Sequence, residues 1–448
     1  MTTPTDPNLE SFWDRWREKY LLWSETERGT RILAKVAEQI RRRPYLGGVP
    51  YWVAAILVGF VAVLYSQSFS WIVDSVQELV GHTPWALFII APVCFIASRW
   101  VVVRFAPAAE GSGVARVNEA LGLKPETASI RIEQLLGWRT PLVVLVSSLL
   151  MVAGAGALGR EGPMVQVAAG LFYLVGRSLR PLWPAEEHRS WVMAGGAAGI
   201  AAAFNTPLAG IVFVLEELAS QHFHQFKTVI ISAVIVAGMV SQWMSGKYLF
   251  LGYPIIDSIE MSVLPWVILT ALFCGLSAAM FQRLLHSSHR ATAGFRARRP
   301  YVLAGMMGVA MAAMTWLVSV QTAGGGIKLI EDLLFYRVTG ADWQETAGRF
   351  FGPVLTYISG CAGGFLAPSL SLGAALGSVA SDLISPNDHN LLVLVGMTGF
   401  LAAMTRAPFT ALVIVMEMTD RHSIIFLLMI AALTGTGIGR ALGKTDHS

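Results

Sequence analysis

The sequence predicts an all-α polytopic membrane protein, assembled from two related halves of tilted and broken helices. Three observations carry that prediction. Of its 448 residues, 54% are hydrophobic and only 14% charged, with a mean hydropathy of +0.56, where soluble domains carry roughly 25% charged residues. Apolar runs long enough to cross a bilayer, about 20 residues each, recur along the chain. The 43 glycines and 20 prolines interrupt many of these runs, a composition that suits close-packed, discontinuous helices better than a simple bundle.

In chain order, residues 1–45 form a charged and aromatic segment. Between Phe12 and Ile40, Trp13, Trp16, Leu21, Leu22, Ile32 and Val36 lie among charges, the pattern of an amphipathic helix on a membrane surface. Arg15, Arg17, Lys19, Arg28, Arg31, Lys35 and the run Arg41, Arg42 and Arg43 precede the first apolar run. The positive-inside rule places such a cluster in the cytoplasm, and no cleavable signal-peptide pattern is visible before it. Apolar runs follow at 51–66, 85–103, 141–158, 191–215, 228–244, 263–281, 301–320, 391–416 and 423–438. A second basic loop, with Arg283, Arg290, Arg296, Arg298 and Arg299, is expected on the cytoplasmic side too. Both clusters read as topology signals and lipid contacts, not as a nucleic-acid surface. The expected organisation is a cytoplasmic segment (1–45), a first membrane repeat (46–225), a second (226–420), and a terminal helix and short tail (421–448).

The most informative local feature is Gly159-Arg160-Glu161-Gly162-Pro163, which places a carboxylate at the start of a membrane-depth helix. An ionisable group there costs a few kcal/mol even on lenient insertion scales, so it points to an ion pathway or a proton relay. Cys94, Cys274 and Cys361 have no metal or disulfide spacing and read as packing residues. The nine histidines are scattered, His222 and His224 being the nearest pair, and suggest no metal site.

The chain repeats itself. Aligned on Pro207 and Pro408, Gly195 matches Gly396, Ala201 and Ala202 match Ala402 and Ala403, Val212 and Val214 match Val413 and Val415, and Glu216 matches Glu417. Upstream, Gly159 to Pro163 faces Gly364-Phe365-Leu366-Ala367-Pro368, so each half carries one Gly-x-x-x-Pro helix opening. Glycine lets the chain turn, and proline just inside a helix removes an amide that has no partner anyway. Two helix N-termini are thereby available as an anion site. Pattern alone leaves parallel and inverted repeats both open.

Gly111-Ser112-Gly113, Gly159 to Pro163 and Gly364 to Pro368, in this order, resemble the three anion-site motifs of the CLC chloride channel and transporter family. The resemblance extends through Phe204 to Gly210 and Arg406-Ala407-Pro408 to Glu417-Met418-Thr419-Asp420, covering nearly all of the chain beyond residue 50. It implies an inverted-repeat helical fold, a homodimer, and an anion pathway within each subunit. Carried over residue by residue, it makes Ser112 a hydroxyl ligand of the anion, with Gly113, Arg160, Gly162, Phe365 and Leu366 completing the anion-binding set, the last two through backbone amides. Glu161 becomes the gate, competing with chloride as a carboxylate and admitting it when protonated. Glu217 aligns with the internal proton glutamate that separates exchangers from channels.

The resemblance therefore implies a chloride/proton antiporter of the bacterial inner membrane, with chloride, protons and lipid as its partners and no cofactor. An uncoupled channel is the alternative. Three departures from the family pattern bear on the choice: Ala115 stands where proline is usual, Leu366 replaces an aromatic with Phe365 one position earlier, and no tyrosine can be named near the end of the chain for the central anion. An intramembrane enzyme built on Glu216 and Glu217 is disfavoured, because adjacent helical residues point about 100° apart and flank one substrate poorly.

Overall fold

The computed structural model describes residues 48–123, 128–179, 188–218, 223–246, 249–256, 261–336 and 341–442, together with Thr26. The amphipathic segment expected over 1–45 and the tail beyond Leu442 lie outside the described residues apart from Thr26, as does His222. The described chain is helical, and its only β-type pairings are two isolated bridges, Gly111 with Ala362 and Gly159 with Gly364.

In chain order the main helices are α1 (Val49–His82), α2 (Leu87–Phe105), α3 (Gly113–Gly122), α4 (Ala128–Leu136), α5 (Arg139–Ala153), α6 (Glu161–Leu179), α7 (His188–Phe204) and α8 (Pro207–Phe213). A π-helical turn, Val214–Leu218, extends α8. Then come α9 (Phe223–Ser245), α10 (Leu264–Arg298), α11 (Pro300–Leu317), α12 (Ile327–Glu331), α13 (Trp343–Ile358), α14 (Leu366–Ile384), α15 (His389–Thr405), α16 (Pro408–Thr419) and α17 (Ile425–Leu442). Eight described helical stretches are long and apolar enough to cross a membrane, which fits a multi-pass membrane protein.

Several apolar runs prove to be more than one element. The run 191–215 breaks after Phe204, where Asn205 turns with φ 55°, and the run 391–416 breaks at Arg406 with φ 61°. Left-handed backbone ends an α-helix, and proline at the first position starts the next one in each case. The run 141–158 ends as helix at Ala153, leaving an irregular approach to Glu161. Leu366–Ile384 adds a candidate span that the apolar runs did not include, because serines and glycines dilute it; 83% of its window is buried. Close approach needs those glycines: a Cβ on Gly373 would lie 2.5 Å from the Gly396 carbonyl oxygen, where α14 meets α15.

The sequence repeat is a structural one. Helices α6 and α14 are both 19 residues long, α7 and α15 both 17, and both pairs start at matched positions. Helices α8 and α16 settle the question of direction. Glu216, just past α8, accepts the amides of Phe409 (3.1 Å) and Thr410 (2.6 Å) at the start of α16. Glu417, in the last turn of α16, accepts those of Leu208 (3.0 Å) and Ala209 (2.9 Å) at the start of α8. Each helix end therefore meets the other's beginning, so related helices run antiparallel. The two-fold axis lies across them and the repeat is inverted.

Candidate functional site

Three helix N-termini converge where the sequence motifs meet. The amide of Gly159 donates to the Gly364 carbonyl at 2.9 Å, bringing the starts of α6 and α14 together. Gly111 donates to Cys361 O (3.1 Å) and its own carbonyl accepts from Gly363 N (3.2 Å), which adds the start of α3. There is no room for side chains in this crossing. A Cβ on Gly113 would lie 2.1 Å from the Gly162 carbonyl oxygen, and one on Gly162 would lie 2.6 Å from the Gly364 Cα. The first amides of a helix have no intrahelical acceptor, so this meeting point presents free N–H donors and positive dipole ends.

Glu161 sits at this convergence, fully buried. Neither carboxylate oxygen meets hydrogen-bond geometry with any group, although the backbone of Glu161 itself and of Ala367 lies within electrostatic reach. Arg160 Nε is 3.7 Å from its Oε1. Arg160 is held on the other side by the Ser66 carbonyl and Ser70 hydroxyl, both 3.3 Å away, and by the ring of Phe250. Its cation stands beside the Glu161 carboxylate without forming a close hydrogen bond to it. A buried acid facing helix N-termini occupies the place that suits a monovalent anion.

The remaining expected residues fall around this centre. Ser112 caps α3 in extended conformation and its hydroxyl makes no capping hydrogen bond. Phe365 precedes α14 and Leu366 opens it, so both contribute backbone at the crossing. Glu217 is placed elsewhere, on the π turn that packs against α3 and α7; its Oε1 is buried without a partner. No described hydrogen bond or ion pair joins Glu217 to Glu161. Glu216, beside it, caps α16. The π turn itself is the type of helix irregularity that is frequent at functional sites.

Sequence reasoning missed the roof of this centre. Arg349 is 1% exposed and donates to the carbonyls of Gly324 (2.8 Å) and Ala323 (3.0 Å). The strap so held packs against the crossing of α6 and α14: a Cβ on Gly325 would be 3.1 Å from the Ala367 Cβ and 3.6 Å from the Gly159 Cα. The run Gly324-Gly325-Gly326 and a lone arginine in an apolar helix were the signals that could have found it.

An inverted-repeat membrane fold whose broken helices aim their N-termini at a buried carboxylate defines an ion-transport protein. The sequence profile of the voltage-gated chloride channel family matches residues 93–440, and the chain belongs to that family. It is similar to the H(+)/Cl(-) exchange transporter ClcA of Salmonella arizonae, 29% identical over 427 residues, which span 87% of this chain and 85% of the relative. Its fold is similar to that of a slow cyanobacterial Cl-/H+ antiporter, with TM-score 0.77 at 21% identity over 89% of this chain and 95% of the other. A CLC-type fluoride/proton antiporter matches at TM-score 0.72 and 21% identity, over 89% and 96%.

Proposed function

We propose that the protein exchanges chloride for protons across the membrane, through a pathway contained in each subunit. One observation carries this reading: Glu161 is buried at the junction of facing helix N-termini, with no side chain hydrogen-bonded to either oxygen and the backbone of Glu161 and Ala367 acting on its carboxylate. Ionised, it fills an anion's place; protonated, it loses its attraction for those dipoles and leaves them to chloride. One group thus alternates between proton and anion occupancy. Glu217, with a buried unpartnered oxygen on the π turn against α3, supports a second proton station. The exchange named for the Salmonella relative agrees with this chemistry.

Ser112, Gly113, Gly162, Phe365 and Leu366 form the anion's surroundings in this reading, and Arg160 sets the potential beside the gate. The same reading puts the protein in the bacterial inner membrane with its N-terminus in the cytoplasm, on the side of the basic cluster, which the structure makes the end of α10 (Arg296, Arg298) and its C-cap Arg299 in place of the expected loop. It also makes the protein a homodimer, for which the exposed apolar side chains Leu208, Phe409 and Phe426 on and beside the α8 and α16 pair offer surface.

The test is reconstitution in proteoliposomes under a chloride gradient, with voltage set by an ionophore and protons followed by a pH electrode. Uphill proton movement driven by chloride establishes exchange. Chloride flux without proton movement makes the protein a channel or an uncoupled carrier.

A further inference from the structure

Arg160 has a stronger partner within reach than any it uses. A guanidinium beside a carboxylate ordinarily closes to short, charge-assisted hydrogen bonds. Here Arg160 Nε stays 3.7 Å from Glu161 Oε1 and has no hydrogen-bond partner. Its Nη1 turns instead to the Ser66 carbonyl and the Ser70 hydroxyl, at 3.3 Å each. Both bonds are long and join the cation to neutral oxygens. The remaining tie is the ring of Phe250, with the guanidinium carbon over its face, 5.1 Å from the centroid. The Arg160 side chain is 14% exposed, so little water competes with that contact, and cation–π attraction gains strength as water is excluded.

Phe250 lies outside the helices, in the segment between α9 and α10, and its ring packs edge-on against Phe204 with centroids 5.6 Å apart. The residues after it are pinned to the second half of the fold. The Leu251 amide donates to the Met418 carbonyl (3.1 Å) in the last turn of α16. Gly252, with φ 98°, lets the chain turn. Arg421 lies over the Tyr253 ring, 3.7 Å from its centroid, and donates through Nε to the Pro254 carbonyl (2.6 Å). Asn390, at the start of α15, donates to the Ile255 carbonyl (2.8 Å). Elements of the second half thus fix a ring against a cation of the first.

We propose that Phe250 is a positioning residue for the gate: its face, with the two serine oxygens, holds the Arg160 guanidinium back from Glu161 and so leaves that carboxylate free to exit and re-enter the anion's place. The proposal rests on reading Glu161 as the gate. With the attraction of the ring removed, the carboxylate becomes the strongest partner left to Arg160, and a close pair between them delays each exit.

Trifluorophenylalanine incorporated at position 250 tests this, because fluorine drains the negative face of the ring and nearly keeps its shape. In proteoliposomes of the full-length protein, chloride-driven proton movement should slow by about threefold or more, the worth of a desolvated cation–π contact. Phe250→Leu, apolar but without a face, should slow it at least as much. In Glu161→Ala the fluorinated ring should leave chloride flux unchanged, since no carboxylate remains to be trapped. Exchange at the wild-type rate with the fluorinated ring overturns the role of Phe250 and leaves the gate standing. Slowing that persists in Glu161→Ala also overturns it, because the ring would then act on the pathway itself. A wild-type protein without chloride-driven proton movement overturns the exchange and this inference together.

Discussion

Glu216 and Glu417 cap each other's helices. Each carboxylate spans two amides at the start of the helix that carries the other, and Glu216 takes the Thr410 hydroxyl as well, at 2.8 Å. The pair ties the two inverted repeats together through charge-assisted bonds at both ends of one antiparallel helix pair. Two identical acids in the aligned halves therefore have a structural role, one that Glu217, the acid beside one of them, does not share.

Removing either cap leaves two helix-start amides without an acceptor. Glu417→Ala and Glu216→Ala should each cost about 1–2 kcal/mol, read as a melting temperature lowered by a few degrees in detergent. Glu217→Gln, which breaks no hydrogen bond, should melt like the wild type. Equal melting of all three proteins would remove the capping role.

The glycines at the crossing are held by space. In Gly113→Ala the new methyl would stand 2.1 Å from a backbone oxygen, while nothing lies within 4 Å of the corresponding position on Gly122 of the same helix. The crossing is backbone against backbone and has no side chain to move aside. Gly113→Ala should thus cost more than about 3 kcal/mol and fail to give a monodisperse peak in size-exclusion chromatography. Gly122→Ala should be neutral or stabilising by up to about 1 kcal/mol.

These residues show what the sequence made legible. Glycine and proline punctuation marked both helix openings, and the matched prolines and glutamates marked the repeat, because each acts through its own backbone chemistry. Direction of the repeat was hidden, since Glu216 and Glu417 look alike whether their helices run parallel or antiparallel. Leu366–Ile384 was overlooked because a helix enclosed by protein need not be apolar enough for lipid. Arg349 was invisible for another reason: its partners, the carbonyls at 323 and 324, are distant in sequence and carry no side-chain signal.

Arg349 holds its strap through two backbone carbonyls. Arg349→Met should release those of Ala323 and Gly324, leaving the strap the Gly324 amide to Gly156 O at 3.0 Å, the Ala323 amide to Val320 O at 3.3 Å and the Gly326 carbonyl to Ile330 N at 3.1 Å. Hydrogen exchange in the peptide containing 323–326 should accelerate by tenfold or more, because local opening then breaks two fewer charge-assisted bonds, and a loss of ~1.5 kcal/mol already gives tenfold. Arg349→Lys, with a single point charge in place of the planar fork, should fall between. Unchanged exchange in Arg349→Met would show that the strap is held by packing.

In the proposed exchange, Glu161 is the group on which coupling depends. In Glu161→Ala the helix starts keep their free amides, so chloride flux should persist in proteoliposomes, while proton movement should vanish because the titrating group is gone. Loss of both fluxes in a well-folded Glu161→Ala protein would mean that the carboxylate supports the pathway instead of gating it.

Glu217 distinguishes two kinds of proton route. If protons reached Glu161 by the same path as chloride, Glu217 would be dispensable. Its buried, unpartnered oxygen on a π turn argues against that, because an acid with no structural bond is retained at a cost only where its ionisation is used. Glu217→Gln keeps the shape and cannot release a proton. It should lower proton flux at least tenfold and leave chloride flux within about twofold of wild type, the tenfold loss corresponding to a barrier raised by about 1.4 kcal/mol or more. Full proton coupling in Glu217→Gln would put both ions on a single path.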